Sequence, residues 1–499
     1  MKDTVSLVGT YYGGKSILVT GATGFMGKVL TEKLLRSCHD VKAIYLCVRP
    51  KGGRSMQTRV ENLLKCKVFD RVREEWPNFH KKIKPISAEL TQPNLAIPSK
   101  DMEELLSEVN VIFHCAATVR FDEPLNRDAL LLNVMGTQQL LRLAHQMKNL
   151  EALIHVSTAY SNCNRRNIEE VFYPVPVEPK KLLDLVGWMD ESLIEAITPT
   201  VIGDWPNTYT FSKALTEYLI HQEKGDLNVA IVRPSIVGAS WQEPFPGWID
   251  NFNGTSGLLA AGGKGILRTV KCNPAAIADI IPVDLAINLI IAAGWYTAVH
   301  RPKSPLIYNC TSGGLNPLSW GELREYFFFL RIKNSENSTR LVWLESYLSI
   351  DRCVSILPFR MMKLFSRLDK TLNLLEYFTS NSWDWSYENT SMLLKELNSK
   401  DKTLFYFDIC QLTWSEYIKD YCLGIKKYLL KEDLAGIPAA RQHIRKLKTI
   451  QCVLKATLLV IIWRIFIARS QMARNVWYFV LSLCYKFLSY IRASSTLRP

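Results

Sequence analysis

The feature that most constrains the fold of this chain is a glycine-rich segment near its N-terminus, which reads ILVTGATGFMGK over residues 17–28. A short apolar run precedes three glycines at three-residue spacing, and an apolar, helix-like stretch follows them. In a strand–turn–helix of this kind, glycines allow a tight turn, close approach of backbone N–H groups to a pyrophosphate, and close packing of the helix on the strand. The segment therefore predicts a dinucleotide-binding turn. Its predicted cofactor contacts are Gly21, Thr23, Gly24, Phe25 and Gly27.

Further apolar, strand-like runs lie at 109–117, 153–159 and 229–235, and helical stretches such as 127–147 separate them. Strands that alternate with helices are typical of a parallel sheet with helices on both faces. We therefore predict an α/β fold with a Rossmann-type, doubly wound parallel sheet that ends at about residue 320. A helix-rich region is expected after it.

The end of the second predicted strand, AIYLCV, indicates which nicotinamide cofactor fits the turn. Sites for NAD carry an acidic residue there, which binds the ribose 2′-hydroxyl. This chain instead has Arg49, followed by Pro50 and Lys51. Because a guanidinium pairs with phosphate oxygens in a fork, Arg49 suits a 2′-phosphate, and NADPH is the predicted cofactor.

Tyr209 and Lys213 stand four residues apart in the sequence YTFSK, so one face of a helix would carry both. A free tyrosine has a pKa of about 10, and a neighbouring ammonium lowers that pKa. The lysine can also hold the nicotinamide ribose. A hydroxyl at the end of the strand HVSTAY should orient the substrate oxygen, and Thr158 is favoured slightly over Ser157. The pattern predicts hydride transfer to a carbonyl, with Tyr209 as the acid.

The net charge of +14 is concentrated at the C-terminal end. Residues 434–499 contain eleven Lys and Arg and no Asp or Glu. Long apolar runs interrupt this basic tail, which favours a membrane surface over nucleic acid as its partner. Twelve cysteines without a C-x-x-C pair, and an N-terminus without an apolar signal region, predict free thiols in a reducing compartment. The sequence shows no metal-ligand spacing.

The tail has two apolar stretches, 452–468 and 476–491, and each is interrupted by Lys or Arg. A charged side chain at the centre of a spanning helix costs roughly 2.5–3.5 kcal/mol. Three arrangements are open: a single span over 450–467 with the rest at the interface, a hairpin that dips into one leaflet, and a pair of core helices. The presence of aromatic residues and the absence of acidic residues both favour the membrane.

Several long strings in the chain resemble a single enzyme family. They are YYGGKSILVTGATGF, FHCAATVRFDE, HVSTAYSNCN, RPSIVGASWQEPFPGWIDN, LEYFTSNSWDW and, in the tail, WRIFIARSQMARNVWYF. On these residues the chain is similar to the alcohol-forming fatty acyl-CoA reductases, which are extended short-chain dehydrogenases/reductases. The strings are long and specific, and the resemblance covers nearly the whole chain.

The resemblance implies an enzyme that reduces long-chain fatty acyl-CoA to a primary alcohol with two NADPH, and so supplies wax ester and ether lipid synthesis. It also implies a peroxisomal membrane location, with the tail as anchor and the catalytic domain facing the cytosol. The oligomeric state stays open. Further residues expected at the cofactor, beyond the motifs, are Leu90, Ala116, Ala117, Pro234 and Ser235, and Asn133 is expected to have a supporting role.

Four regions are predicted: a reductase domain over 1–320, a connecting segment over 321–357, a helical C-terminal fatty acyl-CoA reductase domain over 358–435, and a basic membrane-anchoring tail over 436–499. The connecting segment departs from the family pattern and is shorter than its counterpart. The alternative hypothesis is therefore a catalytically impaired, membrane-attached paralogue that binds NADPH or acyl-CoA without turnover. An extended reductase acting on sterols is a third possibility.

Overall fold

The computed structural model of the chain describes residues 5–50, 52–121, 129–264, 266–267, 269–326, 359–433 and 437–495. The described residues up to Asp433 form one compact unit, and those from Ile437 onward form a second. The first unit therefore holds the described residues of both the reductase domain and the helical C-terminal domain expected from the sequence. Most of the expected connecting segment, from residue 327 to 357, lies outside the described residues.

The strands of the first unit are β1 (Ser16–Thr20), β2 (Ala43–Val48), β3 (Ile83–Ser87), β4 (Val111–His114), β5 (Ala152–Val156), β6 (Asn167–Ile168), β7 (Val229–Pro234), β8 (Ile236–Gly238), β9 (Ile280–Pro282), β10 (Leu306–Cys310) and β11 (Asp384–Trp385). Seven of them form a parallel sheet in the order β10-β7-β5-β4-β1-β2-β3. Strands β1, β5 and β7 are buried along their whole length, because helices cover both faces of such a sheet. The predicted α/β, doubly wound fold is confirmed.

The strand order reverses at β1, which pairs with β2 on one side and with β4 on the other. In open parallel sheets, ligands bind in the crevice at the carboxyl ends of the strands where the order reverses. The glycine-rich segment follows β1 directly and therefore lies at this crevice.

The helices of the first unit are α1 (Leu7–Tyr12), α2 (Phe25–Ser37), α3 (Met56–Leu64), α4 (Asp70–Glu75), α5 (Ser99–Glu108), α6 (Gly136–Ala144), α7 (Pro179–Trp188), α8 (Glu191–Ile202), α9 (Thr208–Glu223), α10 (Thr255–Gly263), α11 (Val283–His300), α12 (Phe359–Ser380), α13 (Glu388–Glu396), α14 (Ser399–Leu404) and α15 (Trp414–Gly424). A π-helical turn, Leu130–Met135, leads into α6. Helix α11 is apolar on nearly every side because it packs against α2, β5 and β7 in the core.

Buried polar contacts attach the C-terminal helices to the sheet. The carboxylate of Glu170 accepts hydrogen bonds from the backbone N–H of Asn309 at 2.9 Å and from the hydroxyl of Thr390 at 2.8 Å. The hydroxyl of Tyr417, on α15, donates to the carbonyl oxygen of Ala239 at 2.9 Å. Because buried polar groups need such partners, these bonds fix the C-terminal helices on the reductase part of the unit.

Helix α15 also meets the loop after β8 by direct backbone contact. A Cβ placed on Gly424 would lie 1.6 Å from the carbonyl oxygen of Gly247, and a Cβ on Gly247 would lie 2.2 Å from the carbonyl oxygen of Asp420. Gly247 also has a φ of +75°, which disfavours any other residue. Two glycines therefore allow the close approach of this loop and helix.

Gly424→Ala should destabilise the first unit, because the new methyl group meets a backbone oxygen that cannot move aside. Overpacking of this kind costs about 1–3 kcal/mol, so we expect a melting temperature several degrees lower by scanning fluorimetry. Gly187→Ala is the matched control, since Gly187 lies in α7 with no atom within 4 Å of the added Cβ. An unchanged melting temperature for Gly424→Ala would contradict the close contact.

The second unit comprises helices α16 (Ile437–Arg469) and α17 (Gln471–Ser495). The segments Ala456–Arg469 and Arg474–Phe487 differ in direction by 116°. Among the described residues, helix α11 is long and apolar enough to span a membrane, but it is buried in the first unit. The bent pair of segments meets the same two criteria only when both are counted as one span. The predicted span at 450–467 falls within α16, which by itself does not meet the criteria of length and hydropathy.

Candidate active site

The glycine-rich turn joins β1 to α2, and two of its glycines cannot carry a side chain. Gly21 has a φ of +72°, and a Cβ on it would lie 2.7 Å from the backbone nitrogen of Ala116. A Cβ on Gly27 would lie 2.3 Å from the carbonyl oxygen of Gly21. Gly24 immediately precedes α2, so the unpaired N–H groups of the first helical turn lie at this point. The turn fits a pyrophosphate.

Phe25, the first residue of α2, stacks on the buried Trp248 with ring centroids 5.3 Å apart. Asp250, two residues further along the same loop, pairs with Lys28 at 2.6 Å. The loop after β8 therefore covers the start of α2. Phe25 thus has a packing contact in addition to its place in the predicted cofactor turn.

The end of β2 is strongly basic. Arg49 follows this strand, and its guanidinium lies 3.3 Å from the carboxylate of Glu89. Arg59, from α3, donates hydrogen bonds to the hydroxyl of Thr23 at 2.9 Å and to the carbonyl oxygen of Arg49. Burial, and then the charge of Arg49, lowers the pKa of Arg59. Two arginines rather than one therefore stand at the position where the sequence predicts the adenosine ribose.

A cavity of about 560 Å³ adjoins this position. It is lined by Thr23, Lys28, Gly52, Arg54, Arg59, Asn62, Leu63 and Cys66. Cations around a cavity beside a glycine turn suit a phosphate group. Arg59 is not predicted from the sequence, because no known sequence motif indicates that a residue of α3 contacts the end of β2. A basic residue early in the helix after β2 is the signal that could have found it.

Three further predicted cofactor residues lie around the same crevice. Leu90 is buried after β3, where its Cβ lies 3.1 Å from the position of a Cβ on Gly136. The backbone N–H of Ala116 donates to the hydroxyl of Thr20 at 3.3 Å, which places the loop after β4 against the end of β1. Ala117 follows in that loop and is partly exposed.

Helix α9 carries Tyr209 and Lys213 on one face. The side chain of Asn207 caps the helix by accepting a hydrogen bond from the N–H of Thr210 at 2.9 Å. Lys213 is buried, and its ammonium group donates to the carbonyl oxygen of Val156 at 2.8 Å. Burial lowers the pKa of Lys213 to about 8, and the negative charge of Glu217 opposes this shift.

The expectation that Lys213 lowers the pKa of Tyr209 is not met. Burial dominates and raises the pKa of Tyr209 to about 12, while a hydrogen bond with the Thr158 side chain acts in the opposite direction. A neighbouring positive charge by itself would lower the pKa of a tyrosine, but burial removes the phenolate from water, and this larger cost raises the pKa of Tyr209. A phenol with this pKa is fully protonated at neutral pH, which is the state that a proton donor requires.

The two candidate hydroxyls at the end of β5 have different partners. Thr158 bonds to Tyr209, and its hydroxyl lies 3.4 Å from the carbonyl oxygen of Pro234. The hydroxyl of Ser157 instead donates to the carboxylate of Glu217 at 2.5 Å. Thr158 is therefore the hydroxyl beside the tyrosine. Ser157 belongs to a buried charged group behind it.

Pro234 ends β7 next to Thr158, and the N–H of Ser235, the next residue, donates to the carbonyl oxygen of Cys310 at 3.0 Å. Asn133 connects two parts of the site. Its side-chain oxygen accepts from the N–H of Thr118 at 3.0 Å, and its amide donates to the hydroxyl of Ser212 on α9 at 2.9 Å. The predicted supporting residue thus joins the loop after β4 to the catalytic helix.

An aromatic cluster adjoins Tyr209. The ring of Phe121 lies 5.5 Å from that of Tyr209 and 5.5 Å from that of Phe378, which is on α12. The ring of Tyr160 packs edge-on against Phe378 at 5.1 Å. The C-terminal helices therefore contribute to an apolar wall beside the hydroxyl groups. Such a wall excludes water and suits an aliphatic chain.

Among the residues that the structure describes, no group of three or more His, Cys, Asp or Glu side chains is placed to hold a metal ion.

The parallel sheet, the glycine turn and the Tyr–Lys pair define a nicotinamide-binding protein of the short-chain dehydrogenase/reductase type. Two family models match the chain, both described as male sterility protein, one an NAD-binding model over residues 19–290 and the other over residues 349–432.

Curated relatives match over almost their whole length. Fatty acyl-CoA reductase 2 of Bos taurus is 54% identical, with 99% of this chain and 100% of the relative covered. Fatty acyl-CoA reductase 1 of Homo sapiens is 54% identical, with 98% and 99% covered. The chain belongs to the fatty acyl-CoA reductase family.

Solved structures share the fold. The terminal R domain from the myxalamid PKS-NRPS biosynthetic pathway matches with a TM-score of 0.58 at 22% identity, covering 84% of this chain and 92% of that domain. The reductase domain of a non-ribosomal peptide synthetase from Mycobacterium tuberculosis matches with a TM-score of 0.56 at 17% identity, covering 85% and 96%. At these identities the likeness concerns the fold alone.

Thr158→Val should lower kcat by about 10²–10³-fold, because it removes a donor to the substrate oxygen while keeping the side-chain shape. Ser157→Ala is the matched control, and we expect less than about a tenfold loss of kcat from it. Both are measured as NADPH oxidation with palmitoyl-CoA. A larger loss from Ser157→Ala than from Thr158→Val would reverse the assignment.

Proposed function

We propose that this chain reduces long-chain fatty acyl-CoA to a primary fatty alcohol and CoA, with NADPH as the reductant. The observation that carries the proposal is the hydroxyl pair of Thr158 and Tyr209, which adjoins an apolar wall contributed by Phe121 and Phe378. A thioester carbonyl at the hydroxyls would extend its acyl chain along this wall. The 54% identity to reductases named for fatty acyl-CoA supports the same substrate class.

NADPH, when bound, supplies hydride to the carbonyl carbon, once to the thioester and, from a second NADPH, once to the aldehyde. Thr158 and Tyr209 donate hydrogen bonds to the carbonyl oxygen and stabilise the negative charge that develops on it. CoA leaves from the first adduct as a thiolate, which is a good leaving group because a thiol has a pKa near 8.5. Tyr209 then gives its proton to the oxygen of the reduced aldehyde. Lys213 would hold the nicotinamide ribose.

The intact set of Tyr209, Lys213 and Thr158 supports turnover rather than the catalytically impaired alternative. The curated relatives also align with this chain over 98–99% of its length. Their substrate class, rather than sterols, is therefore the one we propose.

Purified, detergent-solubilised protein should convert palmitoyl-CoA or stearoyl-CoA to the alcohol, as identified by mass. Tyr209→Phe should lower the rate by about 10²–10⁴-fold because the proton donor is gone, while NADPH still quenches protein fluorescence on binding. Equal rates for the two proteins would remove Tyr209 from the mechanism. NADPH binding without alcohol or aldehyde from the wild-type protein, at any chain length, would contradict the proposed function.

The preference for NADPH over NADH is part of the proposal. Arg49 and Arg59 are in contact at the end of β2, and Arg59 lines the adjacent cavity together with Lys28 and Arg54. A 2′-phosphate carries the charge that such a cluster requires, whereas a ribose hydroxyl does not. Glu89 holds Arg49 in position, and Thr23 holds Arg59.

Arg49→Ala and Arg59→Ala should each raise KM for NADPH about 10–100-fold, since a hydrogen bond to a charged group contributes about 1.5–3 kcal/mol. KM for NADH should stay within about twofold, because NADH lacks the phosphate. Arg142→Ala is the control, since Arg142 is exposed on α6. Equal losses with NADH and NADPH would show that the arginines act through the fold.

We also propose that the second unit attaches the chain to membrane lipid. Large apolar side chains along both helices are exposed, including Leu459 at 67% and Phe479 at 65%. No acidic residue occurs between 434 and 499, which suits an anionic leaflet. The peroxisomal membrane, with the first unit in the cytosol, is the location that the family resemblance implies. Colocalisation with a peroxisomal marker, and protease access to the first unit in intact organelles, test it.

Helix α17 has the pattern of a helix that lies in the membrane surface. At 3.6 residues per turn, the charged, amide and serine residues between positions 471 and 489 fall within about 120° of the helix circumference. These residues are Gln471, Arg474, Asn475, Ser482, Lys486 and Ser489. The opposite face carries Val480, Leu483 and Phe487. The 116° change of direction after Arg469 lets α17 lie along the surface while the end of α16 enters the bilayer with an ordinary tilt of about 20°.

Fluorescent NBD amino acids at Val480 and Ser482 should report opposite environments in protein reconstituted into phosphatidylserine-containing vesicles. The two positions are about 3 Å apart along the axis but on opposite faces. Quenchers attached to lipid should reduce the NBD fluorescence at position 480. Iodide in the aqueous phase should quench the probe at position 482 at least about threefold more strongly than the probe at position 480. Similar quenching at both positions would indicate a spanning helix instead.

A further inference from the structure

A third side chain follows Tyr209 and Lys213 on the same face of α9. Glu217 lies one helical turn beyond Lys213 and is 2% exposed. Its carboxylate accepts the hydroxyl of Ser157 at 2.5 Å and two N–H groups of Arg233, at 3.0 and 2.6 Å. The carboxylate therefore accepts three hydrogen bonds in the core, two of them from a guanidinium group, one helical turn beyond Lys213.

Arg233 is fully buried on β7 and has further partners on the backbone. Two further N–H groups donate to the carbonyl oxygens of Glu169 and Val171, each at 2.9 Å. The Glu217–Arg233 pair thus joins α9, β7 and the segment after β6. Its geometry is bidentate and leaves the carboxylate no freedom to turn away from Ser157.

Lys213 needs a compensating charge because it is buried. The neighbouring His114 and His155 are neutral, since burial and then the charge of Lys213 lower their pKa values, that of His114 to about 3. Cys115 and Tyr209 are also neutral, because burial raises the pKa of each to about 12. The carboxylate of Glu217, one helical turn along α9, opposes the effect of burial on the pKa of Lys213 and so stabilises its ammonium group.

We propose that Glu217 is a positioning residue of this reductase, which keeps Lys213 charged and, through Ser157, ties the end of β5 to α9. The proposal rests on the proposed function in that Lys213 and Thr158 serve hydride transfer to a carbonyl. A merely structural Glu217 would join α9 to β7 and would influence stability alone.

The test is the pH dependence of Glu217→Gln in the full-length protein. Wild-type turnover should fall as the pH rises through about 8, where Lys213 loses its proton. This fall is the alkaline limb of the pH profile. Without the carboxylate of Glu217, Lys213 loses its proton more easily, so the alkaline limb should move to lower pH by one unit or more. Glu217→Asp keeps the charge and should restore most of the limb. Ser157→Ala keeps Glu217 and should leave the limb in place.

A uniform loss of rate in Glu217→Gln at every pH, with the alkaline limb unmoved, would overturn the proposal. Because Glu217→Gln leaves Arg233 unpaired, the double variant Glu217→Gln/Arg233→Met serves if the single variant does not fold. It should show a smaller shift in the same direction, since the loss of the Arg233 charge offsets part of the effect on Lys213. NADPH affinity, measured by fluorescence across the same pH range, should shift likewise without any turnover. A shift in binding without alcohol production would retain this inference and reject the proposed function.

Discussion

The active site depends on a buried ammonium group at the carboxyl edge of the sheet. Lys213 donates to the carbonyl oxygen of Val156 at 2.8 Å, so α9 is held against the end of β5. A buried cation requires hydrogen bonds and a counter-charge, and the surrounding core is arranged to supply both. The placement of Tyr209 one turn earlier on the same face, and of Thr158 just after β5, follows from this attachment.

The C-terminal helices belong to the same body as the sheet rather than to an appended module. Glycine at 247 and 424 lets two backbones touch, and Glu170 ties α13 to β10. Through α12 this region brings Phe378 to the aromatic cluster beside Tyr209. The apolar wall of the site is therefore built partly from residues more than 150 positions beyond the catalytic tyrosine. Substrate binding and the docking of these helices are linked by packing.

Sequence reasoning recovers the parts of this arrangement that local patterns encode. The strand–turn–helix at residues 17–28 needs glycine for steric reasons, and the structure shows the same contacts at Gly21 and Gly27. The i, i+4 spacing of Tyr209 and Lys213 places them on one face of a helix, as found. The alternation of apolar strands with helices leads to the observed parallel sheet.

Other parts depend on contacts between distant segments, which no local pattern reveals. Ser157 and Thr158 are adjacent in sequence, and only the partner of Ser157, sixty residues away at Glu217, separates their roles. Arg59 reaches the cofactor turn through the packing of α3. The expected lowering of the pKa of Tyr209 is wrong because the degree of burial, which decides the direction, is a property of the folded core.

The most direct test of the account follows the hydrogen atoms. NADPH that carries deuterium at the transferred position of C4 is supplied with unlabelled palmitoyl-CoA, and the alcohol is analysed by mass spectrometry. Two reductions at the site of Tyr209 and Lys213 predict two deuterium atoms on the carbinol carbon, and Tyr209→Phe should form far less of this alcohol in the same time. An alcohol with one deuterium, or an aldehyde as the sole product, would contradict a four-electron reduction by this chain.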